Sequence, residues 1–192
     1  MAYVQHCQND VFVSYAQVDD RPLPGARDGW VCTIVDALKL LLAQQLGRAE
    51  VLAVWRDLQL AGNERLTPAI FSAVRDSAAL LVILSEGYLA SRWCRDEARE
   101  FLERVGDTSR RVFVVERMPV DRTRRPDAFQ DLLGYPFWVR DREDAPARTL
   151  GVPIPTPEEP DYYRRLNRLA IELAGELKRM NAAAAHVKEG SS

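Results

Sequence analysis

The sequence predicts a three-layer α/β sandwich, with a parallel five-stranded sheet covered by helices on both faces. Three observations predict it. Short β-branched and aromatic runs alternate with segments of helical periodicity along most of the chain. The runs are unbroken rather than alternating, as in residues 79–84 (ALLVIL), which is how strands buried on both faces read. The chain has 192 residues, 47% of them hydrophobic, enough for one domain with a full core and no metal or disulfide staple.

The elements follow in order. Residues 10–15 (DVFVSY) are the first strand, and the polar, Pro- and Gly-containing stretch 17–29 is an insertion at its end. From 30 to 46, Val31, Ile34, Val35, Leu38, Leu41 and Leu42 recur at helical spacing, and Gly47 is a natural stop. Residues 51–55 (VLAVW) are the second strand, and 56–66 a loop. Thr67 and Pro68 read as a capping hydroxyl and a first-turn proline, opening a short helix that buries Ile70, Phe71 and Val74. The third strand, 79–84, is followed by a helix that Ser91 caps and that runs to about Val105 on a stripe of Cys94, Ala98, Phe101, Leu102 and Val105. Residues 111–115 and 135–139 are strands four and five, with Pro136 marking an edge. Residues 127–133 form at most a short helix. The stretch 141–160 is a loop, 161–181 an amphipathic helix, and 182–192 a flexible tail or linker. Residues 1–8 are an N-terminal extension, so the domain spans 9–181. Five strands in this repeat suggest the flavodoxin-like order 2-1-3-4-5.

Composition narrows the function. Net charge is −2, which argues against a nucleic-acid binder. The longest apolar run, 78–84, is too short to span a membrane, and no secretory signal opens the chain. His6 and His186 are the two histidines, both near chain ends, which disfavours a histidine triad or a histidine metal site. Cys7, Cys32 and Cys94 show no paired spacing and read as reduced thiols of a cytoplasmic protein. Neither GxxxxGK[ST] nor GxGxxG occurs. All but three of the 26 basic residues are arginine, and most lie beside acids as a solvated surface. Arg122, Arg124 and Arg125 form a small cluster suited to an anionic partner. A phosphate-receiver reading needs a lysine after the later strands, and the lysines are Lys39, Lys178 and Lys188.

Ligands of open parallel sheets bind at the carboxyl ends of the strands. Ser14, Tyr15, Trp55 followed by Asp57, and Ser85 lie there, and Trp93 and Glu97 in the first turns of the helix after Ser91 share that rim. On this helix Asp96, Glu100 and Glu103 have arginines at helical spacing, whereas the residues so placed about Glu97 are Trp93, Cys94, Glu100 and Phe101. Glu97 lies roughly 70° from the centre of the apolar stripe, at its border. A carboxylate at the edge of a core beside an aromatic wall is a candidate catalytic group. It also complements the helix dipole, and Asp57 also suits a plain post-strand turn.

These residues resemble a known family. DVFVSYA (10–16) is similar to the first box of TIR (Toll/interleukin-1 receptor) domains, WRDLQLAGNERLTPAI (55–70) to the second strand, BB loop and following helix, LLVILSEGYLASRWCRDE (80–97) to the third strand and its S-x-W-x-x-x-E segment, and Phe137-Trp138 to the third box. The resemblance is to the bacterial, NAD+-cleaving type. No proline follows Arg56-Asp57, unlike the RDxxPG loop of animal adaptors. It implies Glu97 as the catalytic residue of an NAD+ glycohydrolase giving nicotinamide and ADP-ribose or a cyclic isomer. Ser14, Tyr15, Asp57, Ser85 and Trp93 become substrate contacts. NAD+ is the substrate, with no separate cofactor and no metal. It further implies self-association through TIR–TIR contacts including the BB loop 56–66, where Leu58, Leu60 and Leu66 are apolar, and a role in bacterial immunity or as an effector acting on host signalling. The other expectation is a non-catalytic TIR–TIR scaffold, since the same fold serves both.

Overall fold

A computed structural model describes residues 2–48, 53–56, 68–106 and 110–189. The central sheet is parallel throughout and has the order 2-1-3-4-5: β1 (Asn9–Ser14), β2 (Val54–Arg56), β3 (Ser77–Leu84), β4 (Val112–Glu116) and β5 (Tyr135–Pro136). This is the expected flavodoxin-like sandwich. β3 is buried at every position, matching its unbroken apolar run.

The two faces carry different helices. α1 (Trp30–Leu46) and α5 (Pro160–Glu189) pack with Val11, Val13, Leu81 and Ile83 on one side. α2 (Pro68–Arg75), α3 (Glu86–Ala90) and α4 (Arg92–Val105) pack with Phe12, Leu80, Val82 and Leu84 on the other. Alternate residues of one strand therefore serve opposite layers. Leu166, Leu169, Leu173 and Leu177 hold α5 in place, each burial contributing about 1.5–3 kcal/mol.

Helix ends follow the expected chemistry. Gly47, at φ 64°, closes α1 with its N–H on the carbonyls of Ala43 and Gln44. The α1 start is capped from a distance: Asp20 accepts from the Cys32 N–H at 2.7 Å. Gly29 must lack a side chain there, because a Cβ would stand 1.9 Å from the Asp20 carbonyl oxygen. Ser91 caps α4, accepting from Cys94 N–H at 3.3 Å.

Several boundaries differ from the sequence reading. Ser85 is itself a helix cap, opening α3, which the run of apolar strand residues before it obscured. The expected fifth strand, 135–139, is two strands. Phe137 turns the chain between them, donating to the Glu116 carbonyl, and β6 (Trp138–Val139) pairs antiparallel with β7 (Arg148–Thr149) inside the expected loop 141–160. The predicted helix at 127–133 is a single 3-10 turn, Asp127–Phe129. The last helix continues past Asn181 to Glu189, because Ala182 to Ala185 propagate a helix without needing a buried face. Thr67, the expected α2 cap, and Val51 and Leu52 lie outside the described residues.

Candidate active site

The carboxyl ends of β1, β3 and β4 converge on a polar cluster. β1 ends at Ser14, which is buried and shares its parity with Phe12, so it faces the α4 layer. The α4 cap at Ser91 sets the register that turns Glu97 inward, where it is 7% exposed. The two meet: Ser14 Oγ donates to Glu97 Oε2 at 2.5 Å.

The walls of the cluster stay neutral. The Cys94 thiol is pushed up to about 12, first by burial and then by the charge on Glu97. Burial raises the Tyr88 hydroxyl well above its usual range, and Glu97 adds to that. Tyr88 donates its hydroxyl to the Cys94 carbonyl at 3.0 Å, locking the α3–α4 corner. Native protein treated with iodoacetamide at pH 7.5 is expected to modify Cys94 only after unfolding, read by peptide mass spectrometry, since the thiolate is the nucleophile. Cys7 and Cys32, both partly exposed, are the residues open to modification in the folded state. Labelling of Cys94 at their rate would contradict the closed cluster.

A second carboxylate, that of Asp19, also acts on the Cys94 thiol. Asp19 lies in the 3-10 turn Gln17–Asp20 and is buried. It accepts from Ser85 Oγ and is ion-paired with Arg117, which follows β4. Arg117 also lies over the Trp30 ring, 5.6 Å from its centroid. The insertion 17–29 is thus pinned at its start through Asp19 and Asp20. Gly87 allows the approach, since a Cβ there would stand 2.7 Å from Val18 Cγ1.

Of the residues selected from sequence, Ser14, Ser85 and Glu97 come together within this rim. Tyr15 is half-buried against the α1–α5 layer, across the sheet from Glu97, because it is one residue out of phase with Ser14. Trp93 is on the first turn of α4 and 38% exposed, at the surface rather than in the core. Asp57 and most of the loop 56–66, with Leu58, Leu60 and Leu66, lie outside the described residues. Asp19 and Arg117 were missed. Asp19 sat in a polar stretch that had no periodicity, and its partners are 66 and 98 residues away in the chain.

Residues 11–150 match the TIR domain family model, most of the chain and all of the rim described above. The chain belongs to the TIR domain family. Two curated relatives are disease resistance proteins of plants. RPV1 of Vitis rotundifolia is 32% identical over 74 residues, 38% of this chain and 5% of that protein. RML1A of Arabidopsis thaliana is 33% identical over 64 residues, 33% of this chain and 6% of that protein. The TIR chain therefore spans about a twentieth of the length of these relatives. The TIR domains of the activated Roq1 resistosome, solved with a pathogen effector, align with a TM-score of 0.42 at 17% identity, covering 89% of this chain and 84% of that one. These relatives overturn the expectation of a bacterial-type domain with a role in bacterial immunity: the curated likeness is to plant disease resistance proteins. The boxes that carried the resemblance describe the chemistry of the strand ends, which does not record lineage.

Proposed function

We propose that this TIR domain is an NAD+ glycohydrolase, cleaving the bond between nicotinamide and ribose with Glu97 as its catalytic carboxylate. The observation that carries this reading is the buried Glu97–Ser14 pair at the carboxyl rim of the sheet. Glycosidases commonly use two carboxylates, one of which protonates the leaving oxygen. Nicotinamide leaves a cationic ring as a neutral molecule, so no general acid is needed. Glu97 then holds the ribose hydroxyls and stabilises the positive charge that develops at the anomeric carbon. Water adds there, releasing a proton and ADP-ribose; attack by an adenine nitrogen gives the cyclic isomer instead. Ser14 orients the carboxylate, and Ser85 is a rim contact for ribose or phosphate. Trp93 supplies an exposed ring for stacking.

Assembly completes the reading. Turnover in this reading depends on self-association of the TIR domain. Among the described residues no helix is long and apolar enough to cross a membrane. Three free thiols support a reducing, cytoplasmic setting. The test is NAD+ consumption by the purified chain over a hundredfold range of protein concentration. Nicotinamide release with a specific activity that rises with concentration is expected. Absence of release at the highest, crowded concentration would overturn the catalytic reading in favour of a signalling scaffold.

A further inference from the structure

The arginine cluster singled out in the sequence is absorbed by neither the fold nor the site at Glu97. Two of its members, Arg124 and Arg125, line a pocket of about 360 Å³ together with Arg95, Leu89 and Pro126. Arg122 is not among the lining residues. Three arginines from two separate segments thus line one cavity. We infer that this pocket binds the phosphate groups of a nucleotide.

Each arginine is held in place. Arg95 donates to the Leu89 carbonyl at 2.5 Å. Arg124 makes two parallel hydrogen bonds, both 2.7 Å, to the carboxylate of Glu86. Arg125 is 7% exposed; its Nη2 donates to Glu116 at 2.8 Å, and its Nε is buried without a hydrogen-bond partner. Guanidinium forks match phosphate geometry two bonds at a time. Glu86 already shows that fit at Arg124, its carboxylate occupying the fork as a phosphate would.

The remaining lining is apolar. Leu89 and Pro126 form a wall with no charge to recognise, suited to a sugar or base, and the volume falls in the range of small-molecule sites. This site is separate from the candidate active site. Arg95 and Glu97 are two residues apart on α4, about 200° around the helix, so they face different ways. The inference does not rest on the NAD+ reading.

Isothermal titration of the purified chain with inorganic pyrophosphate and with ADP, at fixed ionic strength, tests it. Saturable binding is expected for both, tighter for ADP because the apolar wall receives the nucleoside. The Arg95→Ala/Arg124→Ala variant is expected to weaken both by about tenfold or more. Circular dichroism confirms that it folds. Glu86→Gln releases Arg124 from an exposed competitor and is expected to tighten binding by up to about fivefold. This gain in binding requires no loss of structure. Absence of saturation, equal displacement by sulfate, or a double variant that titrates like the parent would each overturn the site. Equal affinity for ADP and pyrophosphate would overturn the nucleotide assignment.

Discussion

Glu97→Gln is expected to lower kcat for NAD+ cleavage by at least about a hundredfold while the unfolding midpoint stays within about 4 °C of the parent. The substitution conserves shape, and the amide oxygen still accepts from Ser14, which stands 2.5 Å from the carboxylate in the parent. Only the negative charge is lost. That charge faces a cation that exists fully only in the transition state, so its removal strikes kcat more than KM. Both proteins are compared at the concentration where the parent is assembled, with particle size measured alongside. Ser14→Ala removes the donor but leaves the charge, and its loss of rate is expected to be smaller, about tenfold. A Glu97→Gln protein that assembles and keeps more than a tenth of the parent activity would remove Glu97 from the chemistry.

Glu97 was legible because helical spacing is a local signal. Its neighbours one turn away are fixed by sequence, so a carboxylate at the border of an apolar stripe can be recognised without a structure. The strand ends were legible for the same reason: an unbroken run such as 79–84 both forms the strand and shows where it stops. Ser14 and Ser85 could therefore be placed on one rim. Their partners could not. Ser14 reaches Glu97 across 83 residues, and Ser85 reaches Asp19 across 66. Those pairings depend on strand order, which brings β3 and β1 side by side, and on where the Gln17–Asp20 turn folds back. Tyr15 shows the converse. Adjacency to Ser14 in sequence placed it at the same site, while the alternation of a strand sends it to the other layer.

The misreading of the fifth strand has a long-range cause. Residues 135–139 look like a single strand because their composition is uniform, yet only Tyr135 and Pro136 find a partner in the main sheet. The split is set by Glu116, whose backbone carbonyl takes the Phe137 N–H and whose side chain occupies the space beside Gly134. A Cβ on Gly134 would stand 2.1 Å from Glu116 Oε1. No local pattern reports a carboxylate placed there from another strand.

That carboxylate gives the largest expected effect on stability. Glu116 and Arg125 are both buried and joined at 2.8 Å, and Trp138 Nε1 donates to the second oxygen of Glu116 at 3.4 Å. Arg125→Met is expected to destabilise the domain by about 3–5 kcal/mol, because it leaves the largely buried Glu116 carboxylate without its ion-pair partner. The side-chain volume is largely kept, so the loss measures electrostatics more than packing. If that is the cause, removing the stranded charge restores stability: Arg125→Met/Glu116→Gln is expected to recover more than half of the loss, with the amide still accepting from Trp138. Urea unfolding of the three proteins at neutral pH decides it. A single variant that costs under about 1 kcal/mol would mean that water already reaches Glu116. A double variant no better than the single would assign the loss to the packing of Arg125 beneath the loop between β4 and β5 rather than to its charge.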